Sequence, residues 1–564
     1  MTSIYEKFAT ERKELQAKGE VPDWYTTGGY QMFMLKYAEP GSSLLDRYTK
    51  IAETAGDIAT DLYGDNNWSQ RFFNIIWKGW LSPSTPVLAN LGTERGLAVS
   101  CTGNYVPDSI YGFYTSRLEA AMLTKNGFGT SSYLGDIRPR GSKFSDNGKA
   151  TGPLPIIRGF VQDMDDVSQG STRRGAWAGY IEADHPDFDE IIDYLYNHPD
   201  GLNLGWNLTS EFIERLKAGD EDTVRRYKKI LKARVVTGKG YLYFIDKVNE
   251  QNPKSYAKHG LSVKASNLCN EIALHSDDEH SFSCVLSSLN LAKFDEWKET
   301  DTVFLSTVFL DCIAEDLIRR GKDVLGIENV IRFTEKSRAL GLGVMGYHTY
   351  LQDHGVAFES DKAYKLNTDM FALIRRNAED ASRYMAKKAG SPLWADSGMR
   401  NTHLMAIAPT MSTALLVGGV SQGIEPIVAN AWNQSTAAGE MFRVNQTLLK
   451  IMKDRGVYND EVIDHIIDNN GSVQDVDWLT EEEKDVFKTA YEINQAHVVL
   501  QASDRQAFID QGQSLNVFFD AATPAKQISD IHKQAILDPR IKGLYYLRSK
   551  AGVQASKRKR GNNG

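Results

Sequence analysis

Between Ser43 and Tyr63 apolar side chains recur at Leu44, Tyr48, Ile51, Ala55 and Ile58, the spacing that lines them along one stripe of a helix. Ser43 followed by Asp46 has the spacing of a capping box, so a helix is predicted to begin there and to open a helical N-terminal region. From Leu97 onward the pattern changes. Short apolar runs such as Val235-Val236 and Tyr241-Leu242-Tyr243-Phe244-Ile245 alternate with amphipathic stretches such as Glu211 to Lys217. That alternation predicts an α/β protein with a largely parallel sheet, as a barrel or doubly wound. Two late helices carry clear punctuation: Asn445 to Arg455, stopped by Gly456, and one starting at Thr480 with Glu483 three residues on. No internal repeat is found. Beyond Arg548 the chain is small, polar and basic, ending Ser556-Lys557-Arg558-Lys559-Arg560-Gly561, the composition of a solvated tail.

Composition narrows the field. With 564 residues, 41% hydrophobic and 24% charged, the chain can bury a large core. Its net charge of −8 argues against a general nucleic-acid surface. Neither an N-terminal apolar segment nor a run long enough to span a membrane occurs, which predicts a cytoplasmic protein. Four cysteines, with no Cys-x-x-Cys pair, make neither a disulfide framework nor a structural zinc site. Cys312 lies in an apolar helical run and reads as a core residue. Two strings invite misreading. Gly341 to Gly346 fits a dinucleotide-binding fingerprint, but Glu335-Lys336-Ser337-Arg338 precedes it where a buried strand should, so glycines for helix packing are expected. His275 to His280 has a metal-like composition without ligand spacing and is expected to be a hydrated turn, with no metal.

Asn267-Leu268-Cys269-Asn270-Glu271 places an amide, a thiol and a carboxylate at two-residue intervals, a spacing that shares one face if the segment is extended. With thiols at Cys101 and Cys284 these are the parts for thiyl-radical chemistry coupled to dithiol oxidation. In these residues, and in Ser84-Thr85-Pro86-Val87-Leu88, Asp136 to Ser142, Arg338 to Val344, Pro409-Thr410-Met411-Ser412-Thr413, Gln513 to Asn516 and Leu544-Tyr545-Tyr546-Leu547-Arg548, the chain resembles the large catalytic subunit of class I ribonucleotide reductases. The resemblance covers nearly the whole length.

It implies a ten-stranded α/β barrel of the ribonucleotide reductase and glycyl radical enzyme type, with a helical domain over 1–85, the barrel over 86–549 and a tail over 550–564. It further implies that Cys269 carries a transient thiyl radical, that Glu271 acts as base on the substrate 3′ hydroxyl and that Asn267 bonds the leaving 2′ hydroxyl. Cys101 and Cys284 would be the reducing dithiol. Tyr545 and Tyr546 would end a radical relay that begins at a metal cofactor in a separate small subunit. Pro409 to Thr413, with Thr85 and Ser100, would grip the substrate diphosphate. Asp108 and Arg138 would bind a nucleoside triphosphate effector at a homodimer interface, and Gly170 to Ala176 would relay its identity.

Two departures from the family pattern matter. No cysteine follows Cys312, so re-reduction is expected to use a thioredoxin or glutaredoxin type of protein, or a tail in trans. The helical segment begins near Glu11, too early for a complete ATP-cone, as would suit a virus-encoded enzyme acting in host cytoplasm. Two alternatives remain: a class II enzyme using adenosylcobalamin, which Tyr545 and Tyr546 oppose, and a non-catalytic nucleotide-binding homologue, which the three retained thiols oppose.

Overall fold

The computed structural model describes residues 4–145, 148–167, 175–436 and 439–549. Four helices come first: Ile4–Ala17, Thr27–Lys36, Leu44–Tyr63 and Trp68–Trp77. The third starts with the expected capping box, Ser43 accepting from the Asp46 amide while the Asp46 carboxylate accepts from the Ser43 amide. Such a cap contributes about 1 kcal/mol. The helix buries Leu44, Tyr48, Ile51, Ala55 and Ile58. Its Arg47, also buried, donates to the carbonyls of Leu88 and Leu91 at 2.8 Å each, clamping the helical region to the short helix Thr85–Asn90.

In chain order the strands of the sheet are the edge strand β1 (Leu81–Pro83), then β2 (Cys101–Tyr105), β3 (Gly129–Tyr133), β4 (Trp177–Glu182), β5 (Asn203–Asn207) and β6 (Tyr241–Tyr243). Strands β2 to β6 pair in parallel in that order. Strand β7 (Phe282–Asn290) pairs antiparallel with β2 and parallel with β8 (Leu340–Met345). Beyond β8, parallel bridges Leu342–Met405 and Ile407–Gln513 add two further extended segments. The Tyr545 amide donates to Leu515, and β9 (Gly543–Leu544) pairs antiparallel with β6. Two five-segment halves, parallel within and antiparallel between, thus close into a ring of ten. Closure leaves the interior reachable from strand ends and loops, where function concentrates.

Two local readings are corrected by the structure. Val235-Val236 lies within the helix Glu221–Thr237, capped by Asp220 and stopped by Gly238, where a β-branched pair on the exposed side yields to its context. Gly341 to Met345 belongs to strand β8, and Gly341 and Gly343 face neighbouring barrel segments, not a helix. Glycine is needed there because a Cβ on Gly341 would stand 2.8 Å from the Cys284 Sγ, and one on Gly343 2.5 Å from the Ala406 carbonyl. Gly341→Ala is therefore expected to cost about 1–3 kcal/mol by overpacking, read as a lower Tm; an unchanged melt would contradict so close an approach.

The helix starting at Thr480 carries the expected capping box, and the earlier one spans Gln446–Asp454 with Asn445 as its cap. Both belong to a small unit over 431–487 with its own core, including Leu448, Met452, Ile463 and Ile466. Cys312 is fully buried in the helix Thr302–Gly321. Among the described residues no helix is long and apolar enough to cross a membrane. The tail over 550–564 lies outside the described residues, as do 168–174 within the expected relay loop.

Candidate active site

Asn267, Cys269 and Glu271 meet through a turn, contrary to the extended alternation expected of them. The Asn270 amide donates to the Asn267 carbonyl, and Asn270 adopts a left-handed φ of 67°. Asparagine tolerates that region better than most residues, at a cost of about 1 kcal/mol or more. The turn is tied from every side. Tyr180 Oη donates to the Asn267 carbonyl (2.7 Å) and to Asn270 Oδ1 (3.0 Å), Tyr243 Oη donates to the Ile272 carbonyl, and Ser514 Oγ donates to the Cys269 carbonyl (2.6 Å). Gly512 closes the other side, its amide donating to the Glu271 carbonyl at 2.7 Å where an added Cβ would lie 3.0 Å from that oxygen.

The loop hangs inside the barrel beside a pair of thiols. Cys101 on β2 faces Cys284 on β7 as direct register partners, and such partners have Cα atoms about 4.5–5.5 Å apart, within the span of a disulfide. Neither is in a disulfide, and both are buried. Asn267 Nδ2 reaches Cys101 Sγ at 3.2 Å, and Gln511 Nε2 reaches Cys284 Sγ at the same distance. One amide therefore joins the loop to the dithiol, while its Oδ1 accepts from the Glu271 amide (3.0 Å). Burial pushes the Cys284 thiol up, so at neutral pH it keeps a proton to give.

Glu271 is fully buried. Its Oε2 accepts from Ser514 Oγ at 3.0 Å, and its Oε1 has no hydrogen-bond partner among the described residues. A buried carboxylate oxygen left open marks a place for a ligand hydrogen. Burial raises its pKa to about 7, against the opposing bonds from Asn267, its own amide and Ser514. A carboxyl raised in this way is protonated below pH 7 and gains base function as pH rises. If Glu271 is the base, kcat/KM should climb through an acid limb near pH 7, and Glu271→Gln should remove that limb with a loss of about 10²–10⁴ in kcat. A pH profile unchanged in Glu271→Gln would sink the assignment.

Cys269 is half-buried against an aromatic cluster containing Tyr241 and Tyr545, with Tyr546 at its edge. The Tyr545 and Tyr546 rings lie 4.1 Å apart, and Arg548 stands 4.3 Å over Tyr546. The Tyr546 amide donates to Asn516 Oδ1, whose Nδ2 donates to the half-buried Glu425. Sequence reasoning missed Tyr241, Gln511 and the role of Ser514: a tyrosine in an apolar strand looks like core, and the two polar residues reveal themselves only by what they touch.

The remaining candidates sit around this center or apart from it. Pro409 to Thr413 follow the barrel segment whose Ile407 carbonyl accepts from the Ser514 amide, so they stand at the same barrel end as Glu271. Thr410 has φ 49° and its Oγ1 accepts from the Gly423 amide (2.7 Å). Met411, Ser412 and Thr413 open the six-residue helix Met411–Leu416, which packs on β1 just ahead of Thr85. Ser100 is buried beside Cys101. Asp108 and Arg138 lie in loops after β2 and β3 and pair with each other at 2.5 Å, away from the thiols. The helix following Asp108, Ile110–Lys125, exposes Ile110, Tyr111, Tyr114 and Leu118.

His275, Asp277 and His280, read as a hydrated turn, form a clasp in which the two rings are buried and Asp277 is half-exposed: both rings donate to the Asp277 carboxylate at 2.8 Å and both pack on Trp394. Lys336 Nζ lies 2.8 Å from His280 Nε2, so a positive charge already holds this corner.

Known families and structures resemble this chain along most of its length. Residues 99–226, 223–395 and 393–547 match the family model described as ribonucleotide reductase, barrel domain, and residues 24–96 match ribonucleotide reductase, all-alpha domain. A solved structure of the Actinobacillus ureae class Id ribonucleotide reductase alpha subunit superposes with a TM-score of 0.86 at 37% identity, covering 93% of this chain and 97% of that one. A Frog virus 3 (isolate Goorha) chain described as a ribonucleoside-diphosphate reductase large subunit is 34% identical, over 91% of this chain and 92% of its own length. The ribonucleoside-diphosphate reductase large subunit of Invertebrate iridescent virus 3 is 29% identical, over 86% and 88%. The fold, a loop-bearing barrel behind an all-alpha domain, is that of a ribonucleotide reductase. The chain belongs to the ribonucleotide reductase large-subunit family.

Proposed function

We propose that this chain is the catalytic subunit that reduces ribonucleoside diphosphates to 2′-deoxyribonucleoside diphosphates with a class I small subunit. The observation that carries the reading is the single amide of Asn267, bonded at once to Cys101 and to the backbone of Glu271 in the Cys269 loop. It couples the group that starts the reaction to the groups that finish it. Cys269, as a thiyl radical, takes the 3′ hydrogen and becomes a thiol. Glu271 accepts the 3′ hydroxyl proton, which weakens the bond to the 2′ oxygen. Asn267 bonds that oxygen, which leaves C2′ as water with one proton from the Cys101 and Cys284 pair; the pair's second hydrogen goes to C2′, Glu271 returns its proton to the 3′ oxygen, and the two electrons come from the pair as its S–S bond forms. The Cys269 thiol then returns a hydrogen atom to C3′ and regains its radical.

In this reading Pro409 to Thr413, Thr85 and Ser100 hold the diphosphate, their hydroxyls and open amides suiting an anion. Asp108 and Arg138 bind a nucleoside triphosphate effector. The neighbouring apolar side chains Ile110, Tyr111, Tyr114 and Leu118, between 57% and 80% exposed, favour a homodimer, since such a patch marks an interface. The radical arrives from the small subunit's metal cofactor through Tyr546 and Tyr545. A thioredoxin or glutaredoxin type of protein, or a tail in trans, restores the dithiol. Viral relatives fit a virus-encoded enzyme of the cytoplasm.

One turnover without external reductant tests the dithiol. Deoxyribonucleotide should form in proportion to the chain and stop, and peptide mapping should then recover Cys101 disulfide-linked to Cys284, with Cys312 unchanged. Product formed while both thiols stay reduced would refute the assignment.

A further inference from the structure

Strand β6 sends two tyrosines toward the Cys269 loop, and their hydroxyls do different things. Tyr243 Oη donates to the Ile272 carbonyl, and on β4 Tyr180 Oη donates to the Asn267 carbonyl; these two phenols hold the loop backbone. Tyr241 makes no such bond. Its Oη donates to the Oη of Tyr546 at 3.2 Å. Its ring centroid lies 4.8 Å from that of Tyr545 and 5.3 Å from that of Tyr546, and it packs in the same cluster as Cys269. Tyr241 is fully buried, whereas Tyr546 is partly exposed at the cluster's outer edge. Aromatic rings in such contact gain about 0.5–1.5 kcal/mol beyond burial, so packing explains the rings. It does not explain why this hydroxyl is spent on another phenol when loop carbonyls are the partners its neighbours use.

We infer that Tyr241 is a third redox-active member of the relay, exchanging a hydrogen atom with Tyr546 along their shared bond, so that the relay ends in a triangle of tyrosines. The inference rests on the reading of Tyr545 and Tyr546 as the radical path. When the small subunit has oxidised Tyr546 to a neutral phenoxyl, the Tyr546 oxygen is a pure acceptor facing the Tyr241 O–H. One electron and one proton leave that O–H together: Tyr546 becomes a phenol again and Tyr241 becomes the phenoxyl. No further oxidant is needed, because the exchange moves one hydrogen atom between like groups. Burial holds the Tyr241 phenol protonated, so the proton is there to move. The inner tyrosine gives the radical a place to reside sheltered from solvent, beside Tyr545 and Cys269.

The test places 3-aminotyrosine, an easily oxidised near-isostere, singly at 241, 545 or 546 in the full chain. Each variant is mixed with the small subunit of the same organism, a ribonucleoside diphosphate and ATP, freeze-quenched and examined by EPR. The expected result is an aminotyrosyl radical at 241 as well as at 545 and 546, with the signal at 241 lost when Tyr546→Phe is added. A second readout does not depend on oxidising position 241. The 3-aminotyrosyl radical at 546 should lose one exchangeable proton coupling in Tyr241→Phe, with the substrate KM unchanged. Radicals at 545 and 546 but none at 241 would overturn this inference alone. Radicals at none of the three would overturn the relay and this inference with it.

Discussion

Cys269→Ser should abolish deoxyribonucleotide formation, lowering kcat by about four orders of magnitude or more, the scale on which removal of one member disables groups that act as a unit. An alcohol O–H bond is stronger than a thiol S–H bond, so a tyrosyl radical cannot generate the serine oxyl radical, and the reaction has no other group to take the 3′ hydrogen. The change is almost isosteric. Tyr180, Tyr243 and Ser514 hold the loop through its backbone and Asn270, so Asn267 and Glu271 should stay in place and substrate and effector affinities should hold. Equilibrium binding measured beside turnover separates the two effects. Residual turnover at even a hundredth of the original would show that the hydrogen is abstracted elsewhere.

Tyr546→Phe should be nearly as severe, by about three orders of magnitude in kcat, for a different reason. A phenylalanine ring is too hard to oxidise, and Tyr546 is the outermost of the three clustered tyrosines, through which a radical arriving from outside must pass. Only a hydroxyl is lost. The backbone bond from the Tyr546 amide to Asn516 and the neighbouring ring contacts persist, so the variant should fold with stability within about 1 kcal/mol. Thermal melting and turnover, measured together, check both halves. An active Tyr546→Phe enzyme would mean that the radical reaches Cys269 by another route.

The candidate groups were legible because the proposed radical and acid–base chemistry calls for particular residue types, and Asn267, Cys269 and Glu271 offer them within five positions. How they converge was not legible. Two-residue spacing suggested a flat strand, whereas the left-handed turn at Asn270 does the work, set by tyrosines on strands far away in the chain. The facing of Cys101 and Cys284 is a register between strands about 180 residues apart, which no local pattern encodes. The same distance effect hid Gly341, whose missing side chain makes room for Cys284 and which resembled helix packing when viewed alone. Tyr241 looked like any buried strand tyrosine until its hydroxyl partner was visible. His275 and His280 suggested a wet turn by composition, yet Trp394, more than a hundred residues away, covers them.

The helical N-terminal region and the α/β alternation, by contrast, were readable because caps and periodicity are local. The family model divides the chain in the same sense, all-alpha then barrel, at 24–96 and from 99 onward. The active-site loop and its dithiol depend on that barrel closing: β2 and β7 meet at the junction between its two halves, which is where the cysteines stand.

The most direct test of the central claim is deoxyribonucleotide formation by the purified chain, a ribonucleoside diphosphate, ATP and dithiothreitol, with either a class I small subunit from the same organism or adenosylcobalamin. Product is expected with the small subunit, none with adenosylcobalamin and none from Cys269→Ser under either condition. Product that requires adenosylcobalamin, or nucleotide binding without product under both conditions, would contradict that claim.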